Sequence, residues 1–153
     1  MANGLSDWPL VRRGEKFHPV RSLQYLLRAH GHGVTVDGDF GPLTEAAVRA
    51  FQSAEQLAVD GIVGPLTWAQ LVVQVRRDDR GDAVRAVQEE GQFRSGTEDP
   101  AAGLAIDGIF GPRTEAFVRG FQEAVRLQVA GFAVDGIVGP RTWQALISGM
   151  INI

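Results

Sequence analysis

One phrase, written four times, constrains this 153-residue chain more than anything else in it. It reads Asp37-Gly38-Asp39-Phe40-Gly41-Pro42-Leu43-Thr44 and then Asp60-Gly61-Ile62-Val63-Gly64-Pro65-Leu66-Thr67-Trp68. It returns as Asp107-Gly108-Ile109-Phe110-Gly111-Pro112-Arg113-Thr114 and as Asp135-Gly136-Ile137-Val138-Gly139-Pro140-Arg141-Thr142-Trp143. Self-similarity of this kind means a small unit used repeatedly. The copies form two pairs. The first of each pair leads into a long periodic segment, Ala46 to Gln56 or Ala116 to Gln128, and the second carries a Trp and a short apolar stretch. The chain therefore divides into an N-terminal extension (1–12), a first lobe (13–75) and a second lobe (76–153). The lobes join near the charged run Arg76-Arg77-Asp78-Asp79-Arg80.

The phrase has a local physical meaning. Asp-Gly suits a tight turn, because Gly takes positive φ freely and the Asp carboxylate accepts nearby backbone N–H groups. The apolar residue at the fourth position pins the turn inward. Gly-Pro starts a helix, with Pro at the first helical position where its missing donor costs nothing. The Thr two residues on is placed to hydrogen-bond within the first turn, and Glu45 and Glu115 sit well against the helix dipole.

Apolar spacing then fills in three helices per lobe. Ala47, Phe51 and Ala54 recur at helical period, as do Phe117, Phe121 and Ala124. Trp68, Leu71 and Val72 match Trp143, Leu146 and Ile147. A leading helix enters through His18-Pro19 with Val20, Leu23 and Leu27 inward, and its counterpart begins near Asp82 with Val84 and Val87 inward. Val34–Val36 and Leu104–Ile106 read as short extended bits and not as a sheet. The expectation is an all-α fold of two tandem three-helix lobes. Each lobe is too small to be stable by itself with ease, so the lobes are expected to pack together.

The order of these parts resembles the bacterial peptidoglycan-binding domain of the three-helix type. The residues that carry the likeness are Leu23-Gln24, then Asp-Gly-x-Phe-Gly-Pro-x-Thr, then Ala-Val-Arg-x-Phe-Gln, then Asp-Gly-Ile-Val-Gly-Pro-x-Thr-Trp. It covers roughly Arg13 to Val73 and again Arg80 to Ile147. The resemblance implies a noncatalytic cell-wall module, commonly attached to a peptidase, amidase, glycosidase or transpeptidase, with peptidoglycan as its partner. The second lobe departs from the pattern twice. Glu89-Glu90-Gly91 stands where Tyr25-Leu26-Leu27 is expected, followed by extra residues within Gln92 to Gly103. A second excess falls in Val129 to Ala133. Both lie beside a turn phrase, where they reshape or block any groove.

Composition narrows the function further. There is no cysteine, so thiolate nucleophiles, thiolate metal sites and disulfides are excluded. A net charge of -3 lacks the basic surplus of a nucleic-acid binder. No apolar run is long enough to span a bilayer. Only three histidines occur, His18, His30 and His32. His30-Gly-His32 offers two metal ligands, but its place at a helix end favours a capping role. Asp37-Gly-Asp39 lacks the ligand series of a calcium loop. Glu89-Glu90 and Asp78-Asp79 are adjacent carboxylates that point apart, so both pairs read as solvated surface. The lobes leave no room for a catalytic domain, so no enzyme, metal or cofactor is expected. The start of the chain, MANGLSDWPLVRRG, is not an export signal; the expected location is nonetheless the cell envelope or outside the cell.

For recognition of a glycan–peptide polymer, sugar faces want aromatics and stem-peptide carboxylates want Arg. The candidates in lobe one are Asp37, Asp39, Phe40, Arg49 and Gln56, and in lobe two Asp107, Phe110, Arg113, Arg119 and Gln128. Each has a plainer reading. Phe40 and Phe110 suit turn-pinning core, Trp68 and Trp143 follow core spacing, and Gln52 and Gln122 are placed to bond backbone internally. Arg49 and Arg119 are the better binding candidates. Two tethered sites make the second contact intramolecular, so weak individual sites suffice on a repetitive polymer. The competing expectation is an interaction or scaffold module that keeps the fold without glycan binding. A wall-active enzyme is a further expected partner.

Overall fold

The computed structural model describes residues 4–95 and 104–151. Six helices follow in order: α1 (Val20–Ala29), α2 (Pro42–Ala54), α3 (Pro65–Leu71), α4 (Asp82–Ser95), α5 (Pro112–Arg126) and α6 (Pro140–Ile147). Four of them begin as the Gly-Pro rule requires, with an extended Gly at the cap and Pro in the first turn. Among the described residues there are isolated β-bridges and no strand; Val34–Val36 and Leu104–Ile106 are irregular. The all-α expectation, with three helices per lobe, holds.

The buried faces follow the expected period with small differences. Val20, Leu23 and Leu27 are fully buried, as are Val84, Val87, Trp68, Leu71, Trp143 and Leu146. On α2 the inward stripe is Thr44, Ala47, Val48 and Phe51; Ala54 is exposed, because the helix outruns the core at its last residue. On α5 the equivalent stripe uses Val118, Phe121 and Val125, with Phe117 and Ala124 half-buried.

Each lobe is clasped by the extended segment that leads into it. Val11 pairs with Val63 by two backbone bonds, and Phe40 N–H donates to the Glu15 carbonyl. In lobe two Val75 pairs with Val138, and Phe110 N–H donates to the Asp79 carbonyl. The clasp therefore touches both turns of its own lobe. The buried indoles close it: Trp68 Nε1 donates to the Pro9 carbonyl at 2.9 Å and Trp143 Nε1 to the Val73 carbonyl at 2.8 Å. The N-terminal extension is also built into the fold. Leu5 is fully buried, Trp8 stacks on Trp68 with ring centres 6.1 Å apart, and Gln144 of α6 donates to the Ser6 carbonyl. Gly4 lies against Val129, so part of the second insert receives the chain's start.

The lobes join through α1, which packs chiefly against α4. Arg28, near the end of α1, pairs with Asp82 at the start of α4 at 3.5 Å. Arg21, near the start of α1, pairs with Glu89 at 2.7 Å, so the two helices run antiparallel.

Here one expectation is overturned. Glu90, read as solvated, is 0% exposed. Its carboxylate bonds His18 Nε2 at 2.8 and 3.0 Å, the Ser22 hydroxyl, and Arg94 Nη1 at 2.7 Å. His18 in turn stacks on Phe93, with ring centres 3.9 Å apart, and Arg94 lies over the Phe121 ring. Burial pushes the Glu90 carboxyl up, but the His18 hydrogen bond, the His18 and Arg94 charges and the Ser22 hydroxyl outweigh it, and its pKa is held below the ordinary glutamate value. Glu89 is half-buried against Arg21. Adjacent carboxylates do point apart; both directions lead into the other lobe. Gly91 completes the departure, since a Cβ there would stand 2.8 Å from Leu104. The first insert thus begins inside α4, and its residues 96–103 lie outside the described ones.

Candidate functional site

A glutamine holds each turn phrase to the preceding helix. Gln24, Gln52, Gln88 and Gln122 are all buried. In every copy the side-chain amide donates to the turn Asp, to a backbone carbonyl two residues beyond it, and to the Thr hydroxyl of the next helix. For Gln52 these are Asp60 Oδ1 at 3.0 Å, Ile62 O at 3.0 Å and Thr67 Oγ1 at 3.1 Å. For Gln122 they are Asp135, Ile137 and Thr142 at 3.1, 3.0 and 3.1 Å. The amide oxygen accepts from the turn glycine's N–H, at 3.0 Å from Gly61 and 2.9 Å from Gly136. The Thr hydroxyl therefore serves the neighbouring helix's glutamine, and no side-chain cap is seen on its own helix. The turn Asp accepts the N–H two residues on, which together with the Gln bond lowers the pKa of Asp37, Asp60 and Asp107 below the ordinary aspartate value.

An arginine one helical turn before each glutamine covers the turn. Arg21, Arg49, Arg85 and Arg119 lie against Gly38, Gly61, Gly108 and Gly136. At Gly61, where φ is +73°, a Cβ would stand 3.1 Å from Arg49 Nε; at Gly108, φ +77°, it would stand 2.8 Å from Arg85 Cζ. Only glycine admits both the left-handed backbone and the guanidinium.

These modules redefine the sequence candidates. Asp37 and Asp107 are turn ligands of Gln24 and Gln88 with an exposed edge. Phe40 and Phe110 are 0% exposed, which leaves no ring face for a sugar; turn-pinning core is their role. Arg49 donates to the Val59 and Asp60 carbonyls at 3.2 and 3.4 Å, and Arg119 covers Gly136 with Glu115 4.0 Å away. Asp39, Gln56, Arg113 and Gln128 are exposed. The candidates do not converge: Asp37 and Asp39 belong to the first turn, Arg49 to the second. His30 bonds the Leu71 carbonyl at 2.8 Å, and both His30 and His32 meet Phe51 edge-on. Among the described residues no group of three or more His, Cys, Asp or Glu is placed to hold a metal ion.

A cavity of the same construction opens beside the second turn of each lobe. In lobe one it encloses about 230 Å³ over Leu10, Leu57, Ala58, Ile62 and Leu66, with Asp60 at its edge. In lobe two it encloses about 310 Å³ over Gln74, Arg76, Phe132, Ile137 and Arg141, with Asp135 in the place of Asp60. None of the ten sequence candidates lines either groove. Each is assembled from three separate segments, the clasp, the end of the long helix's loop and the Gly-Pro start of the last helix. The legible signal was the variable residue of Gly-Pro-x-Thr, Leu66 against Arg141.

The paired lobes and their repeated turns define a class. The family model described as "Putative peptidoglycan binding domain" matches residues 18–71 and 80–146, and the chain belongs to that family. Among curated proteins, it is 44% identical over 81 residues to the zinc D-Ala-D-Ala carboxypeptidase of Streptomyces albus G, covering 50% of this chain and 31% of that protein. It is 62% identical over 69 residues to an uncharacterised protein from the bpoA1 3′ region of Kitasatospora aureofaciens, covering 43% of this chain and 58% of the other. The chain thus spans about a third and somewhat over half of these relatives' lengths. Among solved structures, a peptidoglycan-binding protein from Clostridioides difficile is 37% identical at a TM-score of 0.42, over 44% of this chain and 42% of that one. Among the described residues no helix is long and apolar enough to cross a membrane.

Proposed function

We propose that this chain is a noncatalytic, bivalent anchor that holds cell-wall peptidoglycan in the two second-turn grooves. The observation that carries the reading is the recurrence of one exposed groove, built from equivalent positions, in both halves of a chain whose halves both belong to a peptidoglycan-binding family. The interlobe contact of α1 with α4 supports bivalency, because it fixes the spacing of the grooves and lowers the ordering cost of the second contact. The setting proposed is the cell envelope, beside or attached to a wall-active enzyme. The kinship with a zinc carboxypeptidase over a minor part of its length supports that association.

Sedimentation of the pure chain with insoluble peptidoglycan tests this. The protein is expected in the pellet, with no muropeptides released to the supernatant. Failure to sediment favours a scaffold role, and release of fragments makes the chain an enzyme; either result rejects the proposal.

A further inference from the structure

The two grooves share a frame but not a chemistry. Where lobe one places Leu10, Leu57 and Leu66, lobe two places Gln74, Phe132 and Arg141, and Arg76 lines its groove whereas the matching Arg12 does not line that of lobe one. The lobe-one groove has one charged group, Asp60; the lobe-two groove has two guanidinium groups against Asp135, a net single positive charge. We infer that the lobe-two groove is a carboxylate-binding subsite, taking the terminal or side-chain carboxylate of a wall peptide, while the lobe-one groove has no anion preference. This rests on the reading of the chain as a peptidoglycan binder and assigns the ligand group to one of its two sites.

Three features carry it. Arg141 lies over the Phe132 ring with its central carbon 5.3 Å from the ring centre. Phe132 is only 3% exposed, so it forms a fixed floor that holds the guanidinium in place before any ligand arrives. A planar fork already oriented loses less freedom on gripping a planar carboxylate than a mobile ammonium would. Second, among the described residues neither the Arg76 nor the Arg141 side chain is engaged in an ion pair. Arg77, by contrast, bonds Glu115 at 3.1 Å and Arg85 bonds Asp82 at 3.0 Å. Exposed arginines beside a groove, left unpaired in a chain of net charge -3, are where an anion gains most. Third, the net charge of the groove matches a monoanion. Asp135 is bound to its turn through Gln122 and the Ile137 N–H, so its charge stays in the groove and opposes a dianion such as phosphate. Gln74 adds a neutral amide at the rim, its oxygen 3.4 Å from where a Cβ on Gly139 would be.

The test uses the full chain and three probes: N-acetyl-D-alanyl-D-alanine with a free carboxylate, the same peptide amidated at its C-terminus, and inorganic phosphate. Amide NMR titration is expected to show the free peptide shifting Gln74, Arg76, Phe132 and Arg141, with affinity about tenfold weaker for the amidated form. Arg76→Gln with Arg141→Gln is expected to remove that preference, and Leu66→Gln in lobe one to leave it intact. Equal binding of amidated and free peptide, equal response to phosphate, or shifts confined to lobe one would overturn the assignment. So would a silent titration by a chain that still sediments with peptidoglycan, which leaves the anchoring role standing. A chain that fails to sediment at all rejects that role and this subsite together.

Discussion

Lobe one and lobe two are built from the same turn module, yet they differ where they meet each other and where they meet solvent. In the module itself nothing has drifted: Gln24, Gln52, Gln88 and Gln122 hold their turns with bonds of nearly equal length. At the shared face, Leu26 of lobe one is an apolar core residue, while its counterpart Glu90 is a buried anion serving His18, Ser22 and Arg94. At the grooves, Leu66 faces Arg141 across the comparison. Residues that close the local unit are constrained by unsatisfied polar groups, whereas residues beyond it are free to specialise.

Both lobes depend most heavily on their indoles. Trp68→Ala and Trp143→Ala each remove a fully buried ring and the bond to the clasp, with an expected loss of about 3–5 kcal/mol by denaturant melt. Because the lobes share a core face, both variants are expected to lower one common transition; two separate transitions would show that the lobes are independent. Next, Glu90→Ala leaves His18 and Arg94 facing a void, at an expected cost of about 3 kcal/mol, while Glu89→Ala, which breaks a half-exposed pair, is expected to cost under about 1 kcal/mol. A similar small cost for both would return Glu90 to the surface.

The turn glutamines come third. Gln52→Ala and Gln122→Ala each orphan a buried glycine N–H and a Thr hydroxyl, and each is expected to cost about 1–3 kcal/mol. Equal losses sharpen the claim of equivalence between lobes. Acid is expected to act on the same groups. Asp37, Asp60, Asp107 and Glu90 all have folded pKa values below their ordinary ones, so their stabilisation is present above about pH 4 and is lost as pH falls through the folded values. Melting followed from pH 6 to pH 2 is expected to show that decline, and Glu90→Gln to flatten part of it. The smallest effect is at the grooves, where Leu66→Arg on the solvent side is expected to change stability by within about 0.5 kcal/mol.

How far the sequence reached follows from which interactions are local. Asp-Gly and Gly-Pro encode a turn and a helix start within a few residues, so all four phrases and their four helix entries are legible, as are the entries at His18-Pro19 and Asp82, and the Trp and Leu spacings mark the core. Gln52 and Gln122 read as internal bonders from the sequence, but nothing local gives a role to the fourfold Arg-x-x-Gln that includes Gln24 and Gln88. Its partners are glycines of a later turn, and only the folded chain shows that Arg49 lies over Gly61. Glu90 reads as surface from the sequence because adjacent carboxylates usually remain in water, and no local rule reveals the α1–α4 face. The grooves draw on Leu10, Leu57 and Leu66, or Gln74, Phe132 and Arg141, which no single spacing connects.

The most direct test of the two-groove anchor is a binding isotherm on purified sacculi for the native chain, Leu66→Asp, Arg141→Asp and the double variant. Each single change is expected to weaken retention, and the double to abolish it while its melting temperature stays near native. A folded double variant that binds sacculi as the native chain does would contradict the account.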